Sequence, residues 1–167
     1  MTFIVKPVTS ECQSEVNALL KREWDCPPCI SRGRAIDTRT LPGFVALIDD
    51  VLAGVITYNM LDGECEIMTL NSLVENIGIG TALINAVKEA AIEAHCTRLW
   101  LITTNDDTEA IRFYQIKGFD LVAVHMNAMA LSRKMKPSIP MTGNHGIPIK
   151  HEFEFEMNIC SNPNSQK

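Results

Sequence analysis

The sequence predicts a single α/β domain, and three observations predict it. Short stretches of strand-like alternation fill the first half of the chain and meet at tight-turn signals. A glycine-opened amphipathic helix follows them, and strand-like and helical segments then alternate toward the end. No repeat and no linker divides the 167 residues, which are enough for one domain with a real core.

"TFIVKPV" alternates and reads as the first strand. "SECQSEVNALLKREW" reads as a helix: Ser10 and Gln13 have capping-box spacing, and Val16, Leu19 and Leu20 form an apolar stripe. Residues 25–42, rich in proline and arginine, read as a long loop with room for a short helix. "FVALIDDVLAGVITYNM" reads as two strands turning at Asp49-Asp50. "LDGECEIMTL" adds another after the Asp62-Gly63 hairpin signal, so these strands form an antiparallel meander.

A helix is expected from the glycine loop to about His95. Its buried face is Leu83, Ile84, Val87, Ala91 and Ala94, while Lys88, Glu89 and Glu93 face water. "RLWLITTN" is apolar enough for a central strand. "DDTEAIRFYQIKGF" reads as a short helix, with Asp106 and Glu109 at capping-box spacing and Gly118 at the C-terminal cap. "FDLVAVH" reads as a strand, residues 127–136 as helical, and "KPSIPMTGNHGIPI" as a loop. "HEFEFEMNI" alternates as the final strand, and the tail 161–167 reads as disordered.

Composition excludes several classes. Apolar residues make up 46% of the chain, which is neither disordered nor membrane-like. No apolar run reaches the ~18 residues of a membrane span. The first residues lack a basic segment followed by an apolar stretch, so no secretory signal is expected. A net charge of -5 without a basic tract argues against nucleic acid as the main partner.

The six cysteines do not suggest a disulfide scaffold in a chain of this length. "CPPC", Cys26 to Cys29, has three readings: a redox dithiol, half a zinc site, or a proline-stiffened loop with reduced thiols. It follows a helical pattern instead of opening one, and no second ligand pair exists, which favours the loop. A reducing cytoplasm is the expected location. His125, His145 and His151 are not at metal-ligand spacing, and no metal site is expected.

"VENIGIGTALINAVKEAA", residues 74–91, carries the strongest chemical signal. Gly78 and Gly80 open a helix, but Leu83 stands where a dinucleotide fingerprint needs a third glycine. Thr81 follows Gly80 without the lysine of a Walker loop. What remains is a helix start whose free N–H groups can hold a pyrophosphate without any basic residue. The alternative is a glycine-permitted turn and close packing.

About twenty-five residues further on comes "NDDTEAIRFYQIKGF". Together the two segments resemble the signatures of the GNAT superfamily of N-acetyltransferases, an R/Q-x-x-G-x-G/A loop and then N-x-x-A-x-x-F/L-Y with a Gly-Phe pair. Gly78 and Gly80 match the first; Ala110, Phe113, Tyr114, Gly118 and Phe119 match the second. The resemblance covers about residues 2–157. Two positions depart from it: Glu75 stands at the Arg/Gln position and Asp107 at the Asn position, with Asn105 nearby. Asp107 also suits a helix N-terminus, and Glu75 also suits a solvent-facing site.

The resemblance implies a mixed, mostly antiparallel sheet flanked by helices. Its fourth and fifth strands, "ECEIMTL" and "RLWLITTN", are expected to be splayed. Residues 1–160 would be one acetyltransferase domain that binds acetyl-CoA. The pantetheine arm would pair with backbone near Leu70, Ser72 and Leu73. The phosphates would lie over Glu75, Asn76, Ile77, Gly78, Ile79, Gly80 and Thr81. Asn105, Asp107, Ala110 and Phe113 would complete the cofactor site.

An amine would then attack the thioester directly in a ternary complex, with no enzyme nucleophile. Tyr114 stands at the family's general-acid position, with aromatic packing as its alternative role. Glu64 and Glu66 share a face of the fourth strand, with Glu66 nearer the splayed end. Either could take the amine's proton directly or through water; Glu66 is the expected base, and a solvated face is the alternative. The acceptor would be a small-molecule or peptide amine, and a homodimer is among the expected assemblies. Two other classes stay open: an acyl-CoA sensor without turnover, and a redox protein using Cys26 and Cys29.

Overall fold

The computed structural model describes residues 1–160; the tail at 161–167, expected to be disordered, lies outside the described residues. The chain begins with β1 (Ile4–Pro7) and α1 (Gln13–Trp24). Ser10 does not cap α1. The backbone first turns through Thr9, whose carbonyl accepts from Cys12 and Gln13. The N-cap is therefore Cys12, with no side-chain bond. The apolar stripe is as expected, with Val16, Leu19 and Leu20 buried.

Residues 25–42 are more ordered than a loop. They form a hairpin of β2 (Cys29–Ser31) and β3 (Arg34–Ile36), then a single 3-10 turn capped by Asp37. The hairpin reverses at Arg32 and Gly33, both with positive φ (48° and 72°), the pattern of a two-residue turn that suits strand twist.

The meander is β4 (Gly43–Ile48), β5 (Val51–Leu61) and β6 (Glu64–Ser72). Its reversals fall at the two predicted places, Asp49-Asp50 and Asp62-Gly63, all four residues at positive φ. There follow α2 (Ile79–Glu93), β7 (Arg98–Thr104), α3 (Thr108–Ile116), β8 (Asp120–His125), α4 (Ala128–Met135) and β9 (Glu152–Asn158).

On α2, Leu83, Ile84, Val87 and Ala91 are buried, but Ala94 is exposed because it is already the C-cap residue. Asp107, not Asp106, caps α3: its Oδ1 accepts from the Ala110 amide at 3.1 Å. Gly118 ends α3 at φ 91°, which lets the Phe119 amide turn back to the Tyr114 carbonyl.

Seven strands form one sheet in the order β1-β4-β5-β6-β7-β9-β8. Every neighbouring pair is antiparallel except β6 and β7. That parallel contact runs from Glu64↔Arg98 to Ile67↔Leu101 and stops, although both strands continue. The stop coincides with a bulge. Thr57 faces Thr69 and Tyr58 faces Ile67, so Met68 is an extra residue that bends β6 away. The expected splay is therefore present.

The main core lies between the sheet and α2 with α3, around Ile79, Leu83, Leu99, Tyr114 and Phe155. A smaller cluster joins α1 to the opposite face through Val45, Leu47 and Val55.

Candidate active site

A cleft of about 710 Å³ opens where β6 and β7 part. One wall is β6 from Glu66 to Asn71 and β7 from Leu101 to Thr104. Asp107, Ala110 and Tyr114 of α3 close one side. Cys26, Cys29 and Ser31 line the other, with Met129, Lys136, Ile149 and Glu152. On the β7 side, the β6 backbone beyond Ile67 has no strand partner. Apart from the Met68 carbonyl, which accepts from the Cys29 thiol at 3.9 Å, this edge can pair with an extended, amide-bearing chain.

The turn that follows β6 runs into the start of α2. Gly78, at φ 88°, is the N-cap and makes no side-chain cap bond, and the first turn holds no acidic residue. The first N–H groups of the helix are thus left for an anion. Gly80 is needed for a further reason: a Cβ there would lie 3.2 Å from the Phe113 ring, so the glycine lets α3 approach α2. An unpaired strand edge suits the amide-bearing arm of a coenzyme A thioester, and an open helix start suits a pyrophosphate.

The expected cofactor residues divide into groups. Leu70, Asp107 and Ala110 line the cleft. Leu73, Glu75 and Asn76 are exposed around the turn into α2, and Ser72 closes it by donating to the Val74 carbonyl at 2.8 Å. Ile77 packs on the core, and Thr81 is half-buried in the first turn. Ile79 can offer only its backbone, because its side chain is fully buried. Phe113 also packs on the core.

Asn105 is a correction. Its Oδ1 accepts from the amides of Lys150 and His151, and its Nδ2 donates to the Pro148 carbonyl, so the side chain anchors the loop before β9 and not a cofactor.

Tyr114 lies on the cleft, its ring held edge-on by Phe113 and Phe119. Burial pushes its phenol well above the usual value, and the Asp107 charge adds to this. The group stays protonated, as an acid must.

Glu66 is buried on the cleft wall, where a base is expected. Its oxygens are engaged, however: Ser31 donates to one and Arg34 to the other, at 2.6 Å for the arginine. A second buried carboxylate, Glu152, shares the cleft. The signal for it was the alternation of "HEFEFEM", which puts Glu152, Glu154 and Glu156 on one face.

Cys26 and Cys29 lie on the cleft at the end of α1 and the start of β2, not at a helix start. Lys136 fastens their loop by donating to the carbonyls of Trp24, Asp25 and Pro28. Hydrogen bonding between the thiols lowers Cys26 and, with burial, pushes Cys29 far up. Among the described residues every cysteine is a free thiol, and no helix is long and apolar enough to cross a membrane.

Residues 11–119 match the model of the acetyltransferase (GNAT) family. YdhI of Bacillus subtilis (strain 168) is 38% identical over 154 residues, which cover 92% of this chain and 96% of that protein. The fold is similar to that of an IAA acetyltransferase from Bacillus cereus, with a TM-score of 0.74 at 18% identity over 94% of this chain and 99% of that one. It is also similar to a GNAT family acetyltransferase from Elizabethkingia anophelis with acetyl-CoA bound, with a TM-score of 0.68 at 17% identity over 93% and 97%. With the splayed strands and the open helix start, the family match gives the conclusion: this chain belongs to the GNAT family of acetyltransferases and is an acyltransferase whose cosubstrate is acetyl-CoA.

Proposed function

We propose that the protein moves the acetyl group to a primary amine held in the same cleft, by direct attack in a ternary complex. The observation that carries this reading is one continuous cleft. It joins the unpaired β6 backbone, the Tyr114 phenol and three buried carboxylates, Glu66, Asp106 and Glu152, of which Asp106 is taken up by Thr104 and the Asn144 amide. Acetyl-CoA supplies an activated thioester when bound. The chain's own groups do the rest.

The β6 edge beyond Ile67 aligns the arm, and the first turn of α2 holds the phosphates. Tyr114 gives its proton to the sulfur as the C–S bond breaks. Glu66 ties the β2–β3 hairpin to the sheet through Ser31 and Arg34, and so shapes the acceptor side. Free thiols with no disulfide among the described residues suit a cytoplasmic location.

The test is thiol release from acetyl-CoA across a panel of primary amines, in wild type and Tyr114→Phe. Amine-dependent release is expected, with a turnover loss of about 10² in the variant and unchanged acetyl-CoA affinity. Release that no amine raises above background would favour an acyl-CoA sensor. An unchanged rate in the variant would assign Tyr114 to packing.

A further inference from the structure

The sheet face that bears Glu66 carries a row of carboxylates from β6 and β9. Glu66 pairs with Arg34 at 2.6 Å. Arg98 pairs with Glu64, Glu154 and Glu156 at 3.4, 2.6 and 2.9 Å. Arg32 and His125 both turn to Glu154, at 3.6 and 2.7 Å. Glu152 is the exception: among the described residues it forms no ion pair. Its contacts are two long bonds from neutral donors, the Arg32 amide at 3.3 Å and the Ser132 hydroxyl at 3.4 Å.

Yet Glu152 is only 1% exposed and lines the cleft. It stands at the first position of β9, beside Thr104 of β7 and His125 of β8. A buried carboxylate without a cation is costly, and one that faces a substrate cleft invites a cation from the substrate.

We propose that Glu152 is the ammonium subsite and the proton acceptor of the reaction: the acceptor enters as a primary ammonium ion, pairs with this carboxylate and gives it a proton before attack. The catalytic half of this assignment rests on the acetyl-transfer reading; the binding half does not. Burial pushes the Glu152 carboxyl above its usual range, opposed by the Arg32 amide, His125, Ser132 and the Arg32 charge. The net direction is upward, which favours the proton-accepting role.

The protons balance. One passes from the ammonium to Glu152 and on to solvent. As the C–N bond forms and the C–S bond breaks, Tyr114 protonates the sulfur, and the nitrogen's second proton restores Tyr114. One proton is released per turnover.

The experiment compares n-butylammonium with the neutral n-butanol, by saturation-transfer NMR on the CoA-loaded protein at pH 7.5. Wild type should prefer the ammonium at least tenfold; Glu152→Gln should lose that preference and Glu152→Asp keep part of it. In turnover with a competent amine, Glu152→Gln should lower kcat/KM about 10²-fold and remove the acidic limb of its pH profile.

Stability serves as the control. A carboxyl whose pKa rises on folding costs stability only above its unfolded value, about 4.3. The Gln variant should therefore melt with wild type at pH 4 and at or above it at pH 8. A variant that melts lower at pH 8 and keeps the ammonium preference would make Glu152 a purely structural anchor and overturn the proposal. So would a wild type that binds both probes alike. If no amine releases thiol from wild type, the acetyl-transfer reading fails, while the probe preference still judges Glu152.

Discussion

The same three strands, β6, β7 and β9, carry opposite chemistries on their two faces. Toward α2 and α3 they present Cys65, Ile67, Leu99, Leu101, Phe153 and Phe155, which merge into the main core. Toward the β2–β3 hairpin they present Glu64, Glu66, Arg98, Glu152 and Glu154. Arg98 pairs with Glu64 and Glu154, Arg34 of the hairpin pairs with Glu66, and among the described residues Glu152 is left without a cation. The alternation of a strand is enough to separate them. The difference teaches how stability and function are divided. Apolar burial is non-directional and tolerates small misfits. A charged face must be satisfied group by group, so any group left over marks a place for something else.

Two substitutions measure that division, and a third, off the sheet, sets the scale for an exposed charge. The largest effect is expected from Phe155→Ala, because Phe155 is fully buried at the centre of the apolar face. Stability should fall by about 3–5 kcal/mol, read from urea unfolding. A loss below about 1 kcal/mol would mean that the core does not rest on this face.

Next is Arg98→Met on the charged face. It removes a cation shared by three carboxylates, which also lies 4.8 Å from the centre of the Trp100 ring. A loss of about 2 kcal/mol at pH 7 is expected, below the full cost of a broken buried pair because Glu154 keeps Arg32 and His125. Burial raises the Glu154 carboxyl, but its bonds from Arg98 and His125, with the charges of Arg32 and Arg98, bring it below the usual value. The stabilisation is therefore present above the unfolded pKa and lost as pH falls through the folded one. The gap between wild type and variant should narrow at pH 3; a constant gap would trace it to packing of the arginine stem.

The smallest effect belongs to neither face. Glu75 is exposed beside the proposed phosphate site, and like charges there should cost tenths to about 1 kcal/mol and be screened by salt. Glu75→Gln should tighten acetyl-CoA binding several-fold at low ionic strength and less at high salt, by calorimetry. No tightening at low salt would mean that Glu75 points away from the phosphates.

What was legible in the sequence was what the backbone demands locally. Asp49-Asp50 and Asp62-Gly63 announce their turns, Gly118 ends its helix, and Gly78 with Gly80 opens another, all within a few residues of context. The β2–β3 hairpin was missed because its strands are three residues each and prolines precede them, although Arg32-Gly33 held the turn signal. The cap of α3 was misplaced by one residue because Asp106 and Asp107 are equally able acceptors; Asp106 is instead drawn into Thr104 and the Asn144 amide.

Glu152 was illegible for a deeper reason. Alternation tells which face a side chain takes, not what covers that face. Here the cover comes from Arg32, 120 residues away in the chain.

The short parallel contact has a mechanical side. The sheet is two leaves, β1-β4-β5-β6 and β7-β9-β8, stitched along the backbone by four residue pairs from Glu64↔Arg98 to Ile67↔Leu101. Beyond the last stitch, the arm of the cosubstrate in the proposed pose would add rungs to β6 and so lengthen the seam. The cosubstrate is in this sense a temporary strand, and each turnover, on the acetyl-transfer reading, sews and unpicks part of the protein's own spine.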